Sequence, residues 1–164
     1  MGDLLWAPWR MAFIAGPRED GCFLCRAALP GGDDAENLVL WRGRLAFVIM
    51  NRFPYASGHL MVTPYRHGGT LPDLSPDEAA DMLGLAGRCT RVLAAAFAAE
   101  GFNLGFNLGK VAGAGVVDHL HLHVVPRWVG DTNFLPVLGD TRVVPEYLAT
   151  TFRKLAPYFR AAGD

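Results

Sequence analysis

Short apolar runs alternate along the chain with one long stretch of helical spacing. Residues 38–41 and 45–50 are apolar runs separated by Arg42-Gly43-Arg44, which predicts a hairpin, and residues 59–63 predict a third strand closed by Pro64. Ser75-Pro76-Asp77-Glu78 marks a helix start, with Ser75 as N-cap, proline at the first helical position and Glu78 completing a capping box. The predicted helix runs to about Ala99. Met82, Leu85, Cys89, Val92 and Ala96 recur three and four apart on one of its faces, and Asp77, Asp81, Arg88 and Arg91 occupy another. Cys89 lies on the apolar stripe and reads as a small core residue. Residues 102–108 and 119–125 predict further strands, and residues 145–161 a closing helix. This order predicts an α+β fold: an antiparallel sheet of about five strands with one long central helix and a C-terminal helix, the helices packed to one side.

Neither an internal repeat nor a low-complexity linker divides the 164 residues. The chain therefore reads as a single domain over residues 1–164, with an N-terminal arm (1–30), a core (35–135) and a C-terminal helix (145–162). Composition agrees, since 51% hydrophobic residues supply enough apolar area for a self-sufficient core. Lys+Arg 15 against Asp+Glu 16, with no run of five like charges, excludes nucleic acid as the main partner but leaves room for a compact anion. No stretch approaches the roughly 18 unbroken apolar residues of a membrane span. The apolar run at residues 4–9 follows Asp3 with no basic residue before it, and Pro8 and Arg10 interrupt it. It is not a secretion signal by this pattern, and a cytoplasmic protein is expected. In a reducing compartment Cys22-Phe-Leu-Cys25 points to metal or redox chemistry before a structural disulfide.

Asp118-His119-Leu-His121-Leu-His123-Val-Val-Pro126-Arg127-Trp128 carries most of the chemical information. On a strand of period two, His119, His121 and His123 project from one face at steps of about 6.6 Å, while Leu120, Leu122 and Val124 point to the core. Two chemistries use such a ladder. Neutral imidazole is a common metal ligand, and it is also a good nucleophile toward phosphorus at neutral pH. The absence of nearby carboxylate pairs favours covalent nucleotidyl or phosphoryl transfer over a catalytic metal. Asn107-Leu-Gly109-Lys110-Val-Ala-Gly113-Ala-Gly115, just before the ladder, is a small-residue loop whose backbone N–H groups and Lys110 suit an anion. It is neither a Walker loop nor a dinucleotide fingerprint, because Val111 follows Lys110 and the glycine spacing differs.

Three histidines separated by single hydrophobic residues resemble the mark of the histidine-triad (HIT) superfamily. The resemblance extends over Asn51-Arg52 through Gly58-His59-Leu-Met-Val-Thr-Pro64, the helix, the 107–115 loop and the triad with Pro126. Leu5-Trp6-Ala7-Pro8-Trp9-Arg10 and the segment from Arg127-Trp128 to Asn133-Phe134 are similar to a bacterial fragile-histidine-triad-like branch, which includes diadenosine tetraphosphate phosphorylases. The resemblance implies that His121 attacks an α-phosphate and is transiently nucleotidylated, that His123 contacts the phosphate and the bridging oxygen, and that His59 supports the triad. It implies nucleotide contacts from Asn51 to ribose, from Asn107 to phosphate, and from Trp128 at the pocket or at a subunit interface. Where many members carry a polar Gln-Ser or Gln-Thr pair, this chain has Ala114-Gly115-Val116. Phosphate contacts there, at Gly115 and Val116, would come from backbone N–H groups.

The resemblance also implies a metal site, in which His67 and His119 join Cys22 and Cys25 as a Cys2His2 set. Four protein ligands leave no open position, so a zinc held there would be structural. Magnesium would accompany a polyphosphate substrate, and family members are usually homodimers. The implied function is cleavage of a nucleotide or dinucleoside polyphosphate at an α-phosphate, with water or phosphate as acceptor. Two alternatives use the same residues: hydrolysis of nucleoside phosphoramidates, and a zinc-stabilised nucleotide-binding regulatory module with little turnover.

Overall fold

The computed structural model describes residues 21–131 and 146–161. The 5–10 motif, Asn133-Phe134 and Pro145 lie outside the described residues. A short helix α1 (Phe23–Ala28) comes first, followed by β1 (Val39–Arg42), β2 (Ala46–Met50), β3 (Leu60–Pro64), the long helix α2 (Pro76–Phe97), β4 (Gly101–Phe106), β5 (Leu122–Arg127) and α3 (Leu148–Ala161). The strands form a five-stranded sheet in the order β1-β2-β3-β5-β4, antiparallel at every pairing.

Helix α2 begins as the pattern predicts. The Ser75 side chain accepts from the Glu78 N–H, and Glu78 accepts from the Ser75 N–H, which completes the capping box. Its predicted stripe is buried at Met82, Leu85, Cys89 and Val92, with Ala96 packed against the core. The opposite charges are not all solvated. Asp81 accepts from the backbone N–H groups of Leu45 and Ala46, and Arg88 donates to the Phe159 carbonyl and lies over the Trp41 ring at 3.7 Å. These contacts fix α2 to the β1–β2 hairpin and to α3.

The packing departs from one-sided helices in one respect. Helix α2 covers the sheet face of Leu60, Val62, Leu122 and Val124, which belong with Met82, Cys89 and Leu93 to one hydrophobic core. Helix α1, too short to show a periodic signal, lies toward the opposite face, where its cysteines meet His119. Both faces of the central strands are covered in consequence, and β2 and β3 are buried at every position.

The strand expected over 119–125 starts later, at Leu122. Leu120 explains the delay: its N–H donates to the Gly68 carbonyl and its own carbonyl accepts from the Thr63 hydroxyl, so neither group joins a regular ladder. His119 and His121 thus sit on an extended lead-in to β5 and only His123 lies within the strand.

Candidate active site and metal centre

Each histidine is held by different partners, and those partners fix where its proton sits. Tyr55 donates its backbone N–H to His59 Nδ1 at 3.1 Å. The Asn51 side-chain oxygen accepts from the Phe53 N–H, which turns the Asn51 amide nitrogen toward the same His59 Nδ1 at 3.3 Å. With Nδ1 accepting, His59 carries its proton on Nε2 and donates it to His123 Nδ1 at 2.9 Å. His123 must then carry its own proton on Nε2. That nitrogen is buried and has no partner, so an N–H donor is left aimed into the site.

His121 has the reverse arrangement. Its Nδ1–H donates to the His119 carbonyl at 2.8 Å, which leaves the Nε2 lone pair for chemistry. The rings of His121 and His123 meet edge to face with centroids 4.9 Å apart. Burial pushes both imidazoles below the ordinary histidine range, His123 to about 4 with the charge of His121 adding to the effect. Both are therefore neutral near pH 7, as a nitrogen nucleophile and an uncharged N–H donor require.

His119 turns away from this pair. Its Nε2–H donates to the Pro64 carbonyl at 2.9 Å, and its Nδ1 approaches Cys22 Sγ at 3.3 Å and Cys25 Sγ at 3.4 Å. Cys25 Sγ lies 3.2 Å from His67 Nδ1, and the four ligand atoms all fall within 4.8 Å of one another. In a tetrahedral zinc site the ligand atoms are about 3.6 Å apart, given the usual Zn–S and Zn–N lengths. Cys22, Cys25, His67 and His119 therefore fit the ion. The bond from His119 Nε2 to Pro64 also supplies the outer contact that orients a metal-binding imidazole. Burial and the neighbouring Cys22 thiol raise the Cys25 thiol, a cost that a divalent cation would offset.

The other expected site residues divide. Asn51 and His59 stand together with His123, the Asn51 amide being turned to His59. Asn107 reaches the Tyr55 hydroxyl at 3.5 Å. Gly115 is exposed and Val116 is partly buried against the core, in the loop that leads to His119. Trp128 directly follows β5. Its indole N–H donates to the Phe97 carbonyl at the end of α2, which satisfies a helix-terminal acceptor. Tyr55 was not legible as a site residue, although its place four residues before His59 was the available signal.

The chain's similarity to known proteins follows the same lines. It is 40% identical over 159 residues, 93% of this chain and 82% of the relative, to a Mycobacterium tuberculosis protein named AP-4-A phosphorylase. A Schizosaccharomyces pombe bis(5'-nucleosyl)-tetraphosphatase (asymmetrical) is 33% identical over 93 residues, 57% of this chain and 50% of that protein. Among solved structures, a zinc-bound histidine triad family protein from Mycobacterium smegmatis superposes with a TM-score of 0.69 at 27% identity, covering 86% of this chain and 94% of that one. Residues 34–129, the segment that holds the sheet, α2 and all five histidines, match the HIT domain, and the chain belongs to that family.

Proposed function

We propose that this protein cleaves dinucleoside polyphosphates such as diadenosine tetraphosphate at an α-phosphate, through a nucleotidyl group carried on His121. One observation supports this most: adjacent imidazoles of opposite polarity, His121 with an Nε2 lone pair and His123 with a buried, unpartnered Nε2–H. The relatives named above, whose names refer to AP-4-A and bis(5'-nucleosyl) tetraphosphate, agree with that substrate class.

The His121 Nε2 pair forms a P–N bond while the bond from phosphorus to the bridging oxygen breaks. The departing nucleotide leaves with that electron pair on oxygen, and the His123 N–H hydrogen-bonds to it. Full proton transfer is not required, because a polyphosphate oxygen is a stable anion near neutral pH. The His121 Nδ1–H stays on the His119 carbonyl, and this bond favours the positive charge that the ring acquires. In the second half an oxygen of water or inorganic phosphate attacks phosphorus and the P–N electron pair returns to Nε2. Backbone N–H groups of the 107–116 loop, with exposed Lys110, suit the phosphates, and magnesium accompanies the polyphosphate. When bound, zinc supplies a structural cross-link and no open coordination position.

Two further assignments belong to this reading. Among the described residues strand β4 is paired on one edge only and leaves Leu104 47% exposed, which suits a homodimer joined at that strand. Free thiols at Cys22 and Cys25 suit a cytoplasmic site, and no helix among the described residues is long and apolar enough to cross a membrane.

The test is incubation with diadenosine tetraphosphate in phosphate buffer. ADP with ATP signals phosphorolysis, and AMP with ATP signals hydrolysis. Mass spectrometry should find an AMP adduct on His121, and His121→Ala should lose both adduct and products. Wild-type turnover by His121→Ala would sink the mechanism. Tight nucleotide binding without adduct or product would make the protein a binding module, and turnover confined to adenosine phosphoramidate would make it a phosphoramidase.

A further inference from the structure

The ladder between β3 and β5 ends where a proline removes a donor. At the two ends of β3, the His59 carbonyl accepts from the Asn51 N–H and the Tyr65 N–H donates to the Leu45 carbonyl, both on the β2 side. Alternation along the strand therefore turns the backbone groups of Leu60, Val62 and Pro64 toward β5. The register pairs Leu60 with Val124 and Val62 with Leu122, and one further step sets Pro64 against Leu120. Pro64 has no N–H, so the carbonyl of the buried Leu120 would lack its ladder donor. The Thr63 hydroxyl, itself fully buried, donates to that carbonyl instead at 2.8 Å. The Leu120 N–H goes to the Gly68 carbonyl at 2.7 Å, and the Pro64 carbonyl accepts from His119 Nε2.

The Leu120 carbonyl and the His121 N–H form one planar peptide unit, and the His119 carbonyl with the Leu120 N–H forms the unit before it. Thr63 thus holds the unit that carries His121, while Gly68 holds the unit whose carbonyl accepts the His121 Nδ1–H. We propose that Thr63 is a positioning residue for the reaction: its hydroxyl stands in for the N–H that Pro64 lacks and keeps the His121 Nε2 lone pair aligned with the phosphorus that it attacks. This rests on the nucleotidyl transfer proposed above, in which His121 is the nucleophile.

Thr63→Val keeps the branched shape and removes the donor, leaving the buried Leu120 carbonyl unpaired, whereas Thr63→Ser keeps the donor. The measurement is the rate constant for cleavage of diadenosine tetraphosphate in single turnovers with saturating enzyme in excess, which does not depend on the fraction of enzyme that is folded. Thr63→Val should lower it about 10- to 100-fold, the cost of a displaced reacting group, and Thr63→Ser should stay within about 3-fold of wild type. An unchanged rate constant in Thr63→Val would leave Thr63 a part of the fold alone, and equal losses in both variants would assign the effect to the methyl group; either overturns the proposal. A second readout needs no substrate. In protein labelled with ¹⁵N-histidine, the carbonyl-bound His121 Nδ1–H should give a downfield proton signal, assigned by its loss in His121→Ala. That signal should persist in Thr63→Ser and shift or broaden away in Thr63→Val. If the wild-type protein cleaves no diadenosine tetraphosphate, the nucleotidyl-transfer reading fails and the spectrum alone decides whether Thr63 positions His121. An unmoved His121 signal in Thr63→Val would overturn that role.

Discussion

Two histidines separated by one leucine face the same site with opposite hydrogen-bond polarity because each has a different neighbour at Nδ1. His121 donates there to a carbonyl, whereas His123 accepts there from His59. His59→Ala should therefore impair turnover without touching the proposed nucleophile, His121. It removes the group that fixes the His123 proton on Nε2, and a drop in kcat of about 10²-fold, the usual cost of a misplaced catalytic group, is expected in steady-state assays. The same burial makes a pH prediction. His123 is pushed from the ordinary 6.5 to about 4, so between those values the unfolded chain binds the proton and the folded chain does not. Stability is then greatest above pH 6.5 and falls as pH is lowered toward 4. Thermal melts across that window should show the decline, and His123→Asn should flatten it; a variant with the wild-type slope would contradict the assignment.

At the scale of elements, two glycines decide how closely neighbouring segments approach. Gly58 has φ +78°, and a Cβ there would come within 2.9 Å of Leu93 and 3.0 Å of Phe97. Gly58→Ala should cost about 1–3 kcal/mol in denaturant unfolding, the range for overpacking, and should displace the neighbouring His59 from its bond to His123. Gly69 lies against the entry to the triad, where a Cβ would be 2.5 Å from the Val117 carbonyl oxygen. The adjoining Gly68 carbonyl accepts from the Leu120 N–H, so this contact sets the His67 loop against the His119 segment. Gly69→Ala should weaken zinc retention, measured by metal analysis after dialysis, more than it lowers the melting temperature. The helix start is a local matter by comparison, and Ser75→Ala should cost about 1 kcal/mol, the usual loss of an N-cap.

For the whole molecule, Cys22, Cys25, His67 and His119 connect α1, the segment after β3 and the lead-in to β5 through one group of ligand atoms. A chelator, or Cys25→Ser, should remove the metal and lower the melting temperature by about 10 °C, the shift that roughly 3 kcal/mol makes in a domain of this size. Unaltered melting after verified metal loss would mean that the cross-link adds nothing to stability. Much of this organisation was legible beforehand. The helix with its capping box, the strands, the triad and the Cys22–Cys25 spacing were readable from the chain alone, because periodicity, caps and short motifs are local and each residue carries its own share of the signal, while His67 and His119 as further ligands came from the resemblance to the family. The sequence did not show α1, whose six residues hold no period, or the late start of β5, which depends on Leu120 bonding to a loop fifty residues away in the chain. The resemblance implies Asn51 at ribose and Trp128 at the pocket or an interface; in the fold the Asn51 amide turns to His59 and the Trp128 indole donates to a carbonyl of α2. Which nitrogen of each histidine carries a proton is set by contacts made in the tertiary structure, since it follows from partners on β3, the β2–β3 loop and the His119 backbone that no spacing along the chain specifies.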